Sequence, residues 1–308
     1  MPELPEVETI RRGLLPQVTG KPLQDVVVGD PHVLQTDLDE LVRCLAGHSF
    51  RDIGRRGKFL IFELDDHQLI IHLGMTGQLT FRDPSLQDSG RFIRHPATGL
   101  QRIRQHAPDK HTHLQFLFQD GSAMLYRDIR KFGKIYLYDR QSDGLEQRLG
   151  HLGLEPLSGD YAWKPFRERL SRHRLRVKSL LLDQRFVAGV GNIYADEALF
   201  EARIHPERTV DSLSAREQKR LFEAVPMVLQ RGLHFGGTSL RDYVNSDGEQ
   251  GTHQEELTVY GRAGQPCPRC GREIVRIVVS QRGTHFCPNC QPLKRGFHAK
   301  TQRRKARR

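Results

Sequence analysis

The sequence predicts an α+β multidomain chain: an N-terminal helix, a β-sandwich or barrel, a helical domain, a zinc-stapled β-hairpin and a basic tail. Three observations carry this prediction. Seven short apolar runs with alternating or β-branched texture (DVVVGD, KFLIFEL, QLIIHL, GQLTF, THLQFLF, SAMLYR and KIYLY) occupy residues 21–138, at roughly the 8–12-residue spacing of sandwich or barrel strands. Beyond about residue 160 the periodicity turns helical, and two Cys-Pro-x-Cys pairs close the folded part. The boundaries expected from these shifts are 1–138 for the β-rich domain, 139–160 for a polar, Gly-rich hinge, 161–261 for the helices, 262–291 for the zinc finger and 292–308 for a disordered basic tail.

Composition bounds the function. With 308 residues, 37% of them hydrophobic, the chain can bury two cores, and no stretch approaches the ~18 apolar residues of a membrane span. An N-terminus carrying Glu3, Glu6 and Glu8 lacks the layout of a secretory or organellar leader, so a soluble cytoplasmic protein is expected. The net charge of +11 invites a nucleic-acid partner, yet eight of the 48 basic residues and none of the 37 acidic ones lie within 291–308, leaving only +3 for the rest. Any DNA-binding argument must therefore come from local clusters.

The first helix follows from Pro5 at its start, Glu6 and Glu8 in its first turn, and Leu4, Val7, Ile10 and Leu14 at helical spacing, with Glu8 able to pair with Arg12. That leaves Pro2 and Glu3 unexplained. If Met1 is removed, Pro2 exposes a secondary amine. An α-amino group titrates near ~8 and lysine near ~10.4, so roughly a tenth of the former but under about one in a thousand of the latter is neutral at pH 7. Such an amine can attack a sugar C1′ to give an iminium, with Glu3 as general acid or base.

One helix around Thr36 to Leu45 interrupts the strands, and residues 83–108 show no clear period and read as a surface insertion. Lys58 follows a basic glycine turn, GRRGK, at the opening of a strand, which suits either a solvated edge or a phosphate approach. In YRDIRKFGK, Arg127, Arg130, Lys131 and Lys134 interleave with Tyr126 and Phe132, and Phe132 falls in an expected β-turn, where an exposed aromatic on a basic loop suits insertion into a base stack. Met75 in HLGMTG is a similar apolar side chain on a Gly-bounded turn. Further on, GVGN feeds a helix with Asn192 at the N-cap, a place where helix termini bind phosphate. Cys267, Cys270, Cys287 and Cys290 have the spacing of a four-thiolate zinc site, two disulfides or a redox pair being the alternatives. Between the pairs, REIVRIVVSQRGTHF reads as two strands around a Gln-Arg-Gly turn, and Cys44 as a small buried hydrophobe.

In order along the chain, PELPEVETIRRGL, GRRGKFLIFEL, IIHLGMTGQL, DKHTH, DIRKFG, HLGLEPL, GVGNIYADEALF, SLRDYVNSDGEQG, VYGRAGQPCPRCG and QRGTHFCPNCQ resemble the formamidopyrimidine-DNA glycosylase family from Pro2 to about Gln291. The resemblance implies a bifunctional repair enzyme that excises oxidised purines such as 8-oxoguanine and formamidopyrimidines from double-stranded DNA and then nicks the abasic site. It implies Pro2 as the Schiff-base nucleophile, Glu3 as the acid that helps open the sugar, Lys58 as the proton donor of β-elimination and Arg282 as that of δ-elimination. His72, His111, Arg130, Asn192 and Arg282 would grip the DNA backbone, and Met75, Arg130 and Phe132 would fill the void left by a flipped base. One structural Zn²⁺ on the four cysteines, no catalytic metal and a monomeric enzyme are expected. The implied fold is an N-terminal helix with a β-sandwich, a helix-two-turn-helix domain and a zinc finger, with DNA in the cleft between domains.

The chain departs from the family pattern in its long 83–108 region, in Ile129 where proline is usual, in its extended tail, and in Thr252 and His253 where aromatic residues are common. The rivals are an endonuclease VIII-type relative, which a Pro-Glu-Gly-Pro start would signal, and a non-catalytic zinc-ribbon DNA binder, which would have no use for Pro2 or Glu3.

Overall fold

The computed structural model describes residues 2–84, 92–95, 99–102 and 108–293, with backbone alone for 92–95 and 99–102. Met1 and the tail from 294 lie outside the described residues. The chain divides into two compact units, one of Met1–Leu152 with Arg231–Glu255, the other of Gly153–Gln230 with Glu256 onward.

The first unit begins with α1 (Leu4–Val18). Leu4 opens it and Pro5 is second, one position later than the sequence suggests; Glu3 is the N-cap and forms a capping box with Glu6. The β1 strand (Leu23–Val28) and α2 (Leu38–Leu45, capped by the Asp37 side chain) follow. The strands β2 (Asp52–Arg56), β3 (Phe59–Glu63), β4 (His67–His72) and β5 (Gly77–Arg82) come next. Strand β2 was not anticipated, because Arg55 and Arg56 read as turn residues. Within the expected insertion, β6 (Phe92–His95) and β7 (Gly99–Arg102) form a separate two-stranded sheet, where the sequence shows no period. Strands β8 (Thr112–Phe118), β9 (Ala123–Asp128) and β10 (Lys134–Asp139) and helix α3 (Gly144–Leu149) complete this stretch.

Two antiparallel four-stranded sheets result, in the orders β1-β8-β9-β5 and β10-β4-β3-β2. The inward side chains of both, among them Val26, Leu79, Phe116 and Met124 from one and Leu60, Phe62, Ile71 and Ile135 from the other, share a single core with Val7, Ile10 and Leu14 of α1. This is the expected sandwich, and several strands, such as β4 and β5, are buried along consecutive residues rather than alternate ones. Its order matters for the site. The chain passes from one sheet to the other twice at the same rim, through the turn between β4 and β5 and the turn between β9 and β10.

The second unit is helical, with α4 (Trp163–Ser171), α5 (Val177–Leu182), α6 (Asn192–Glu201) and most of α7 (Ala215–His234), followed by the hairpin β11 (Val275–Val279) and β12 (Arg282–Phe286). Trp163, Phe166, Phe222 and Tyr161 form an aromatic cluster beneath α4, with Tyr161 and Phe222 stacked at 4.7 Å. Among the described residues no helix is long and apolar enough to cross a membrane.

Candidate active site and zinc centre

The rim of the first unit collects most of the residues singled out in the sequence. Pro2 and Glu3 are buried at the head of α1, Glu3 with 2% of its surface exposed. The Glu3 backbone N–H donates to Glu6 Oε2 at 2.8 Å, and the other oxygen of Glu6 accepts from the Thr238 N–H at 2.7 Å. One carboxylate thus holds both the N-terminal residues and the loop after α7. That loop is further fixed by Tyr243, whose hydroxyl donates to the Gly236 carbonyl at 3.0 Å and whose ring joins the sandwich core. His253, on the same loop, is buried with Nδ1 2.9 Å from Thr238 Oγ1, and burial holds it neutral, with its pKa lowered to about 4; Thr252 is exposed.

Lys58 occupies the two-residue turn between β2 and β3 and is only 7% exposed, which removes the solvated-edge reading. Phe59, its neighbour, is in register with His72 at the end of β4, the two rings 4.6 Å apart. Burial, reinforced by the charges of Lys58 and Arg148, lowers the His72 pKa to about 4, so the imidazole is neutral at physiological pH. On α1, burial pushes Glu8 upward, but hydrogen bonds from Arg11, Arg12 and Arg55 outweigh it and hold the carboxylate at about 2. Its bond to Arg12 is the helical pair expected from spacing; that to Arg55 at 2.9 Å ties α1 to β2.

The two crossover turns carry Met75 on one side and Arg130 and Phe132 on the other. These side chains meet: the Arg130 guanidinium lies 4.4 Å over the Phe132 ring, and its Nη1 is 3.5 Å from Met75 Sδ. Met75 and Phe132 are nevertheless 40% and 50% exposed, which is unusual for large apolar residues held this firmly. His111 sits beside them; its carbonyl accepts from the Asp128 N–H at 3.0 Å.

In the second unit, Asn192 is the first residue of α6 and Gly191 is its N-cap, contrary to the capping role read from the sequence. The Asn192 side chain instead donates to the Gly283 carbonyl at 3.0 Å, in the hairpin that carries Arg282. The hairpin turn consists of Ser280 and Gln281, both at positive φ, so Arg282 is the first residue of β12 rather than part of a Gln-Arg-Gly turn, and it is exposed. Behind it, the fully buried Lys178 donates to Asp196 Oδ1 at 2.6 Å, Thr284 Oγ1 at 2.7 Å and the Gly283 carbonyl at 3.1 Å. The second oxygen of Asp196 takes the His285 N–H at 2.8 Å. Glu197, next along α6, accepts from the N–H groups of Thr258, Val259 and Tyr260, each at 2.9 Å, and so fixes the entry to the zinc finger.

The sulfurs of Cys267, Cys270, Cys287 and Cys290 all lie within 4.8 Å of one another, and none of these cysteines forms a disulfide. A tetrahedral zinc with Zn–S bonds of about 2.3 Å sets its sulfurs about 3.8 Å apart. The 3.9 Å between Cys267 and Cys290 and the 3.5 Å between Cys270 and Cys287 fit that cage. Backbone N–H groups of Arg269 and Cys290 point at the sulfurs of Cys267 and Cys287 at 3.4 Å, as thiolate ligands require. The four thiolates fit one structural Zn²⁺. Cys267 and Cys287 also pack with Phe200, Val259 and Ile274, so metal and core are one structure.

Sequence reasoning missed Glu6 as a loop anchor, and Asp128, Lys178, Asp196 and Glu197 altogether. Each is a charged residue buried within or beside a motif that was noticed for other members, and only burial distinguishes it from a solvated neighbour.

Three family profiles match the chain: the formamidopyrimidine-DNA glycosylase N-terminal domain over residues 1–135, its H2TH domain over 152–244, and a zinc finger found in FPG and IleRS over 264–293. A formamidopyrimidine-DNA glycosylase of Enterococcus faecalis is 43% identical over 295 residues, 96% of this chain and 98% of that protein. One from Heliobacterium modesticaldum is 44% identical over 299 residues, 94% of this chain and all of its own. Among solved structures, the Lactococcus lactis Fpg in complex with abasic-site DNA matches with a TM-score of 0.82 at 37% identity, over 94% of this chain and 100% of that one. The Lactococcus lactis FPG (MutM) complex with Fapy-dG-containing DNA matches with a TM-score of 0.81 at 37% identity and the same coverage.

Proposed function

The chain belongs to the formamidopyrimidine-DNA glycosylase family, and from that premise we propose that its reaction runs through the secondary amine of Pro2. It is a DNA glycosylase with AP lyase activity that repairs oxidised purines. The finer reading is the course of the reaction. With Met1 removed, the Pro2 nitrogen attacks C1′ of the damaged nucleotide, the base leaves, and the nitrogen and C1′ form an iminium while Glu3 handles the proton that opens the sugar. The iminium acidifies C2′–H; loss of that proton expels the 3′ phosphate with Lys58 as proton donor. A second elimination, assisted by Arg282, expels the 5′ phosphate. Neither elimination consumes water at phosphorus, and the zinc takes no part beyond holding the hairpin of Arg282.

The observation that carries this reading is the anchoring of the N-terminus. Terminal residues ordinarily fray, yet Glu3 is buried, caps α1 and has its N–H held by Glu6 at 2.8 Å. A chain end fixed in this way can present an amine at a defined point. The low exposure of Lys58, 7%, supports a desolvated cation poised for proton transfer rather than a surface charge. For DNA, His72, His111, Arg130, Asn192 and Arg282 serve as contacts to the backbone, and Met75, Arg130 and Phe132 as the wedge that replaces the flipped base, recovering part of the unstacking cost of a few kcal/mol. The enzyme works as a monomer on double-stranded DNA in the cytoplasm, at the nucleoid.

Borohydride trapping tests it, on a duplex with one 8-oxoguanine opposite cytosine, with Pro2→Gly and Glu3→Gln alongside. The expected result is a covalent adduct mapped to the N-terminal peptide, absent in Pro2→Gly. Binding with neither adduct nor nick, on this and on other oxidised bases, would instead favour a zinc-ribbon binder. Intact mass reports whether Met1 has been removed.

A further inference from the structure

The wedge residues come from two turns more than fifty positions apart in the chain, Met75 on one and Arg130 and Phe132 on the other, and both turns cross between the sheets at one rim. Something must hold these turns in register, because side chains that order only on contact with DNA subtract their lost freedom from the binding energy.

The geometry points to Asp128. Its side chain is fully buried at the end of β9, and four donors converge on the carboxylate. Oδ1 accepts from Thr76 Oγ1 at 2.5 Å and from the Arg130 N–H at 3.1 Å, an N–H it shares with Thr76 Oγ1 at 3.2 Å. Oδ2 accepts from the Gly133 N–H at 2.8 Å and from the Tyr126 hydroxyl at 3.3 Å. Thr76 belongs to the Met75 turn, while Arg130 and Gly133 bracket Phe132, so one carboxylate joins both turns. The backbone of Asp128 is fixed too, its carbonyl lying 2.7 Å from His113 Nε2. Beside it the turns touch backbone to backbone. A Cβ on Gly74, which has φ of +63°, would lie 2.6 Å from the Gly133 nitrogen and 2.6 Å from the Phe132 carbonyl carbon. We propose that Asp128 is the positioning residue of the wedge, clamping the two turns so that Met75, Arg130 and Phe132 meet the duplex as one preformed unit.

The proposal rests on the wedge reading above and makes a specific demand on chemistry. Asparagine has the shape of aspartate but only one accepting oxygen. Thr76 and Tyr126 hydroxyls can rotate to accept from its amide, whereas the backbone N–H groups cannot: with the amide nitrogen on one side the Gly133 N–H faces another donor, and on the other side the Arg130 N–H keeps only its 3.2 Å bond to Thr76 Oγ1. Asp128→Asn therefore loosens the turn without opening a cavity. Thr76→Val removes the hydroxyl that bonds Asp128 and accepts from the Arg130 N–H, and so the side-chain link between the Met75 turn and the other, while Thr76→Ser restores it.

The test uses the full-length zinc-loaded enzyme and two substrates. Single-turnover excision of 8-oxoguanine from a duplex needs the wedge. Cleavage at a preformed abasic site in a single-stranded oligonucleotide has no stacked base to displace. Asp128→Asn and Thr76→Val should slow excision by about tenfold, the scale of one lost hydrogen bond to a charged group. They should also weaken the fluorescence rise of a 2-aminopurine placed beside the lesion, yet keep single-strand cleavage within about twofold, with Thr76→Ser restoring excision. Phe132→Ala is the control. If it slows excision while Asp128→Asn and Thr76→Val do not, the positioning role is overturned and the wedge stands. If all activities fall in parallel with the melting temperature, Asp128 serves only stability and the proposal also fails. If Phe132→Ala itself leaves excision unchanged, the wedge reading falls and takes the proposal with it.

Discussion

Glu6 and Thr238 are 232 positions apart, yet the carboxylate of the first accepts the backbone N–H of the second at 2.7 Å while its other oxygen holds Glu3. The residue that organises the N-terminus therefore also anchors the loop that follows α7, and the placement of one depends on the other.

Glu6→Gln keeps the size but loses one accepting oxygen, so either the Glu3 or the Thr238 N–H is left facing an amide donor. Leaving a buried donor unsatisfied costs about 1–3 kcal/mol. The expected outcome is a slower rate of borohydride-trapped adduct, by about tenfold or more, with zinc content unchanged. An adduct rate equal to that of the parent enzyme would show that the N-terminus is held by other contacts.

Lys178 and Asp196 form a fully buried pair at 2.6 Å that supports the hairpin of Arg282. Removing one partner leaves an uncompensated charge, typically a loss of about 3–5 kcal/mol, whereas replacing both by apolar side chains costs far less. Lys178→Met should lower the urea midpoint strongly, and the double variant Lys178→Met with Asp196→Leu should recover much of it. In the single variant the Gly283 carbonyl keeps the Asn192 donor but loses the lysine, so δ-product should fall relative to β-product on abasic DNA. Product ratios on a denaturing gel decide this.

The zinc centre shares its packing with Phe200, Val259 and Ile274, so the metal stabilises the fold around it. Mass spectrometry under native conditions should find one zinc per chain, and Cys270→Ser should not retain it. The metal-free protein should lose duplex binding while the sandwich keeps its cooperative melt, because the metal lies in the other unit. A chelated protein that still binds duplex with unchanged affinity would contradict this.

Acid should destabilise the protein in two steps. His72 and His253 have folded pKa values of about 4 against an ordinary 6.5, so the unfolded chain binds protons that the folded one refuses. Their contribution is complete above pH 6.5 and is lost as the pH falls toward 4. Glu8, at about 2 against an ordinary 4.5, adds stability above pH 4.5 that is lost as the pH falls toward 2. Melting temperatures of the parent and of His72→Gln with His253→Gln, taken from pH 7 to 4, should converge toward the acid end. Parallel curves would mean that these histidines titrate alike in both states.

What was legible in the sequence was local. The strands showed because a half-buried strand must alternate, and the zinc ligands because two Cys-Pro-x-Cys turns at that spacing have few other uses. Met75 and Phe132 could be suspected because apolar side chains on Gly-bounded turns have no core to enter, whereas Arg130 joined them only through the family resemblance. Strand β2 was hidden by Arg55 and Arg56, whose charges look like turn chemistry until Glu8 of α1 is seen to accept Arg55. The hairpin turn was misplaced by a residue or two because Ser280 and Gln281 adopt positive φ without being glycine or asparagine.

By itself, then, the sequence determined most of the elements, though not β2, β6 or β7, and the chemical inventory: an amine and a carboxylate at the first helix, four thiolates, and exposed apolar side chains among cations. Tertiary structure alone decided which buried charges hold these in place: Glu6 on Thr238, Asp128 on Thr76 and Gly133, Lys178 on Asp196. The reason is physical. A buried carboxylate is stable only where backbone and side-chain donors converge on it, and those donors come from segments that the chain brings together only when it folds.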